Sequence, residues 1–99
     1  MKIYQVIISE EARCDLDSIY EYIAFDIKNP IGADKVIDSI LNKCIRLSVF
    51  PKASAIRYII NEKKLRFTRV GKYTIIYYVD DKESTVCIES VIYSRRITI

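Results

Sequence analysis

Hydrophobic positions recur every three to four residues through much of the first half of the chain and alternate through most of the second. The opening run at 2–8, KIYQVII, is short and β-branched and predicts a strand. Ser9 follows as a helix N-cap, with Glu10 and Glu11 placing negative charge at the positive end of a helix dipole. Ala12, Leu16, Ile19, Tyr20 and Ile23 then lie on one helical stripe, which predicts a helix over about 10–27. Its opposite face carries Arg13, Asp17 and Glu21, with Arg13 and Asp17 spaced to pair. Asn29-Pro30 ends that helix and opens the next, because Pro suits the first helical position and Asn its cap. Ala33, Val36, Ile37, Ile40, Leu41, Cys44 and Ile45 form a wide apolar stripe, predicting a second helix to about Val49, stopped near Phe50-Pro51. The short turn between the two makes an antiparallel hairpin.

The remainder predicts strands. Residues 56–60, IRYII, can pair with 65–70, LRFTRV, across the turn NEKK. Gly71 and Lys72 lead into a strand over 73–79, and Asp80-Asp81-Lys82-Glu83 turns the chain into a last strand over 85–95. The order β-α-α-β-β-β-β predicts an α+β fold, with a helical hairpin packed on one face of a mostly antiparallel sheet of four to five strands. Strand parity puts Leu65 and Phe67 on one face and Arg66 and Thr68 on the other. It turns Tyr73, Ile75, Tyr77 and Val79 to the core, with Val86, Ile88, Ser90 and Ile92. The uncovered face would then gather Arg66, Thr74, Tyr78, Glu89, Tyr93 and Arg95, bordered by Arg69 and Arg96.

With 99 residues, about half of them apolar and only 2 Gly and 2 Pro, the chain fits one domain over 1–99 with a real core. The N-terminus lacks the long apolar stretch and small-residue cleavage site of a signal peptide, and no apolar run approaches membrane-span length. The expectation is a soluble, cytoplasmic protein with no membrane partner. Cys14, Cys44 and Cys87 are odd in number and widely spaced, so neither a disulfide framework nor a CxxC metal site is expected; Cys44 and Cys87 fit buried, inert thiols. Histidine is absent, which excludes Ser–His and Cys–His catalysis and any His-containing zinc site. No metal or other cofactor is expected, and Glu10, Glu11, Asp15 and Asp17 fit helix-dipole and solubility roles.

Charge is lopsided. Residues 1–50 carry 6 Lys/Arg against 8 Asp/Glu, whereas residues 51–99 carry 10 against 5. Arg offers bidentate contacts to phosphate or carboxylate and Tyr offers a ring for stacking, so the basic half suits RNA, an acidic protein segment or plain solvation. Arg66, Arg69, Tyr78, Tyr93, Arg95 and Arg96 are the candidate binding residues. Arg66, Glu89, Tyr93 and Arg95 are the only candidates for catalysis: Glu as proton acceptor and Arg as charge stabiliser could act on a phosphodiester. An ordinary cross-strand Arg–Glu pair is the competing reading.

Four segments in this order resemble the toxins of the RelE/ParE superfamily, from bacterial type II toxin–antitoxin pairs. They are SEEARCDLDSIYEYIA after the opening strand, the NP-started helix ending in LSVFP, RFTRVGKYTIIYYVDD, and VCIESVIYSRR. The resemblance spans nearly the whole chain and rests on order, spacing and total length. It implies the same helical hairpin against a curved antiparallel sheet. It also implies growth inhibition relieved by a cognate antitoxin, a small acidic protein partly disordered when free, with operator DNA bound only through that antitoxin. RelE-like members cleave mRNA on the ribosome, whereas ParE-like members poison DNA gyrase. RelE-like ribonucleases usually carry Arg where this chain has Thr74, and many place a catalytic His or Tyr after the Arg pair, where Arg95-Arg96 is followed only by ITI. The ending VIYSRR resembles ParE-like members. A gyrase poison is therefore the leading expectation, an mRNA endoribonuclease the second, and a non-toxic, antitoxin-binding member the third.

Overall fold

A computed structural model describes residues 2–97. The elements are β1 (Gln5–Ile8), α1 (Glu10–Glu21), a π-helical turn (Tyr22–Asp26), α2 (Pro30–Arg46), β2 (Ile56–Ile60), β3 (Lys63–Val70), β4 (Tyr73–Asp80), β5 (Thr85–Tyr93) and a 3₁₀ turn (Ser94–Arg96). The five strands form one sheet in the order β1-β5-β4-β3-β2. Three neighbouring pairs are antiparallel, and β1 joins β5 in parallel. The α+β architecture expected from the sequence is thus the one observed.

Both helix caps follow the sequence signals. Ser9 Oγ accepts from Ala12 N–H at 3.0 Å, and Asn29 Oδ1 accepts from Gly32 N–H at 2.9 Å beside Pro30 at the start of α2. The ends differ from expectation. The α geometry of the first helix stops at Glu21, and the Ile27 N–H reaches back five residues to Tyr22 O at 3.0 Å. This wider turn buries both Ile23 and Ala24 against Ala33, and turns Tyr22 and Phe25 outward. The second helix stops at Arg46 rather than Val49, and Ile45 of the expected stripe is exposed. The expected Arg13–Asp17 pair does not form: ion pairs among the described residues are Lys52–Asp81 and Lys63–Glu89.

The core lies between the helices and the centre of the sheet. Ala12, Ile40, Cys44 and Leu47 meet Ile75, Tyr77, Val86, Ile88 and Val91. A fully buried side chain the size of Ile75 contributes about 1.5–3 kcal/mol, so this cluster accounts for much of the driving force. Tyr77 is fully buried and donates its hydroxyl to Pro51 O at 2.9 Å, which tethers the loop after α2.

Three features of the sheet depart from the sequence reading. First, β2 and β3 are joined by two residues rather than NEKK. Ile60 pairs with Lys63, and Asn61 (φ 51°) and Glu62 (φ 67°) both take the positive φ that a type I′ turn requires. Second, the parity of β3 is the reverse of that expected. Thr68 pairs with core-facing Ile75 and Arg66 with core-facing Tyr77, so Arg66 and Thr68 face the helices while Leu65 and Phe67 face away. The helices extend over β3 only in part, so this strand need not present an apolar row to them. Third, β5 contains a bulge. Ile88 pairs with Tyr77 but Ser90 pairs with Ile76, leaving Glu89 as the extra residue.

Beyond the bulge every side chain changes face. Val91, not Ser90 or Ile92, enters the core at 2% exposure, and Tyr93 packs edge-on to Tyr73 with ring centroids 5.8 Å apart. The helix N-terminus pins the bulge. Ser9 Oγ donates to Glu89 O at 2.8 Å, and the Asp15 carboxylate accepts from Val91 N–H at 2.9 Å. Asp15 is therefore a structural acceptor rather than a solubility group.

Candidate binding face

The face of the sheet away from the helices is the candidate binding face. On β4 it presents Thr74, Ile76 and Tyr78; on β5 it presents Cys87, both Glu89 and Ser90 of the bulge, and Ile92. On β3 it presents Lys63, Leu65, Phe67 and Arg69. The alternation of LRFTRV puts apolar residues outward here, and the bulge at Arg57 in β2 brings that side chain over Phe67.

Two groupings result. In one, Lys63 Nζ lies 5.0 Å from the centroid of the Tyr78 ring and 3.3 Å from Glu89 Oε1. Hydrogen bonding to the Cys87 side chain, then burial, push the Tyr78 hydroxyl up to about 12. In the other, Arg57, Phe67, Arg69, Thr74 and Ser94 line a cleft of about 280 Å³. The Arg57 guanidinium sits 5.0 Å from the Phe67 centroid, Tyr58 tilts against the same ring at 5.8 Å, and Thr74 Oγ1 and Ser94 Oγ lie 2.9 Å apart.

The candidates from the sequence do not converge. Tyr78 and Glu89 are on the open face as expected. Arg69 borders it, with Nε donating to Gly71 O at 2.9 Å. Arg66 and Tyr93 are on the helix side instead: Arg66 donates to Ser54 O, and Tyr93 packs on Tyr73. Arg95 and Arg96 are exposed on the 3₁₀ turn after β5 rather than on a strand. The proposed Arg–Glu arrangement is absent, because Glu89 is engaged by Lys63. Arg57, Lys63 and Phe67 were not singled out by the sequence. The available signal was Arg57 as the lone charge in IRYII. Cys87 is half-buried on the open face rather than in the core, and Cys14 is exposed. Among the described residues no group of three or more His, Cys, Asp or Glu could hold a metal ion, and no helix is long and apolar enough to cross a membrane.

This architecture is found in solved toxin–antitoxin proteins. The RelBE2 toxin–antitoxin complex of Mycobacterium tuberculosis contains a chain with 21% identity and a TM-score of 0.69, over 92% of this chain and 98% of that one. The chromosomal ParDE system of P. aeruginosa gives 15% identity and a TM-score of 0.73, over 94% and 98%. The archaeal RelE–RelB complex of Pyrococcus horikoshii gives 19% and 0.69, over 98% and 100%. No curated protein matches the sequence. At these identities the likeness establishes a shared fold. The family description "ParE toxin of type II toxin-antitoxin system, parDE" matches residues 6–98. The chain belongs to the ParE toxin family of type II toxin–antitoxin systems.

Proposed function

We propose that this toxin poisons DNA gyrase in the cytoplasm and is held inactive by a small, acidic antitoxin that is partly disordered when free. The observation that carries the reading is the dispersal of the candidate acid–base groups. Arg66 and Tyr93 lie on the helix side of the sheet, and Glu89 lies on the other, paired with Lys63. Cleavage of an RNA phosphodiester by these groups would need a proton acceptor and a charge stabiliser converging on one phosphate. The family match supports the ParE-like choice.

The antitoxin reading draws on charge and on the solved relatives, whose structures are of toxin–antitoxin complexes. Residues 51–99 have an excess of 5 positive charges, which favours an acidic partner and speeds its approach. Arg69, Tyr78, Arg95 and Arg96 would meet antitoxin or target from the open face and its border, and Arg66 and Tyr93 from the helix side. Operator DNA would be engaged only through the antitoxin.

Induction of the toxin alone tests the target. Loss of plasmid supercoiling with translation continuing at first is expected. Early translation arrest with cleaved mRNA would instead identify a RelE-like endoribonuclease, and unaffected growth would identify a member that only binds its antitoxin.

A further inference from the structure

The end of α1, on the helix side of the sheet, carries a second cleft of about 280 Å³, lined by Ser18, Glu21, Tyr22, Phe25 and Asp26. The π-helical turn makes it. Residues five apart point about 140° apart on an α-helix, whereas i→i+5 bonding widens the turn and brings Glu21 and Asp26 to one opening. The same turn sets Tyr22 and Phe25 outward, 54% and 69% exposed. The lining is two carboxylates, two rings and a hydroxyl, with no cation. Among the described residues neither Glu21 nor Asp26 has a Lys or Arg nitrogen within 4.0 Å. Such a cleft suits a guanidinium, which can stack on a ring while it donates to a carboxylate. At this volume it accepts one side chain rather than a cofactor-sized molecule.

Arginines lie on the same surface. Tyr93 packs on Tyr73, and burial, then the Tyr93 and Tyr22 hydroxyls, push the Tyr73 hydroxyl up, so Tyr22 is within electrostatic reach of that pair. Tyr93 leads directly into the 3₁₀ turn, where Arg95 and Arg96 are exposed. Among the described residues neither arginine has a carboxylate within 4.0 Å. A tyrosine cluster thus has unmatched carboxylates at its Tyr22 end and unmatched guanidiniums at its Tyr93 end.

We propose that this surface is a two-fold interface between two copies of the chain, with Arg95 and Arg96 of each copy meeting the acidic, aromatic cleft of the other. A basic segment of another protein would fill the cleft but leave the arginines unmatched. An acidic segment would do the reverse. A second copy supplies both signs at once, on either side of a shared aromatic centre, and Tyr and Arg are the side chains that most often anchor interfaces. A two-fold contact closes on itself, so assembly stops at two.

Sedimentation velocity on the full-length toxin without antitoxin, at about 10–200 µM, tests this. A concentration-dependent dimer and nothing larger is expected at about 50 mM salt, with its dissociation constant rising about tenfold or more by about 500 mM. Glu21→Arg/Asp26→Arg and Arg95→Glu/Arg96→Glu should each be monomeric where the parent is dimeric, because each would oppose like charges at both contacts. Mixed in equal amounts, the two should form a dimer within about threefold of the parent's affinity, since both contacts regain opposite charges. Circular dichroism verifies that each variant is folded, and the milder Glu21→Gln/Asp26→Asn should weaken the dimer about tenfold. A parent that stays monomeric at about 50 mM salt overturns the proposal. So do folded charge-reversed variants that still dimerise, or a mixture of them that stays monomeric. A monomeric parent that binds hexa-arginine through Glu21 and Asp26 would assign the cleft to a basic partner protein instead. The toxin is measured alone, so none of these outcomes depends on the antitoxin or on gyrase as the target.

Discussion

Asp15→Ala should be among the more damaging surface substitutions in this protein. The carboxylate accepts the Val91 N–H at 2.9 Å, at the point where the bulge interrupts the strand ladder. Val91 itself is in the core, so its amide has little access to water once the acceptor is removed. A hydrogen bond to a charged acceptor contributes about 1.5–3 kcal/mol, and an orphaned buried donor costs about 1–3 kcal/mol. A loss of about 2 kcal/mol follows, or a fall in Tm of about 10 °C for a chain of this size. Asp15→Asn keeps an acceptor oxygen but not the charge, and should cost about half as much. Thermal unfolding followed by circular dichroism measures both, and hydrogen exchange should show faster exchange at the Val91 amide in the alanine variant. If Asp15 served only the helix dipole, both variants would lose about 0.5 kcal/mol and be indistinguishable. That outcome, or an unchanged Val91 exchange rate, would refute the pinned bulge.

Other substitutions probe the turns and the core. Glu62→Gly should raise stability by about 1 kcal/mol in chemical denaturation, because a non-glycine residue at φ 67° is strained in the Asn61-Glu62 turn and Asn-Gly relieves it. Tyr77→Phe should cost about 1 kcal/mol by leaving Pro51 O without its donor, with little change in denaturant m-value. Burial pushes the Cys44 thiol up to about 11, so in the native protein iodoacetamide should label exposed Cys14 and spare Cys44 at pH 8. The same shift fixes a sign. The folded state holds the Cys44 proton more tightly than the unfolded chain, so its contribution is intact below about pH 8.5 and declines as pH rises towards 11. A Cys44→Ala variant, though less stable throughout, should show a shallower alkaline loss.

Local signals carried far in this sequence. Ser9 and Asn29 mark the two helix starts because a capping side chain is a short-range requirement, satisfied within three residues. Alternation placed Tyr73, Ile75, Tyr77 and Val79 correctly, since β4 is the central strand and its inner row packs into or against the core. What the sequence did not reveal depends on distant partners. The inversion of β3 follows from how far the helices extend over the sheet, and Arg66 meets Ser54 twelve residues away in the loop after α2. The bulge is held by Ser9 and Asp15, about eighty residues upstream, and no Gly or Pro announces it. One sign was present: Glu89-Ser90 are two successive polar residues in a run that otherwise keeps them apart. The tenet that a one-residue shift exchanges faces explains why Tyr93 moved from the open surface to the helix side.

The outermost strand has a consequence for handling the free protein. All five residues of β2 are exposed, four of them are apolar or aromatic, and among the described residues one row of its amides and carbonyls has no strand beside it. Solitary proteins commonly blunt such a margin with lysine or proline, and Ile56–Ile60 contains neither. Stripped of company, the chain presents a template onto which another extended segment can zip, so its shelf life in solution is set by concentration as much as by folding stability. The residue to change for storage is at that margin, with Ile59, exposed to 66%, the natural position for a lysine.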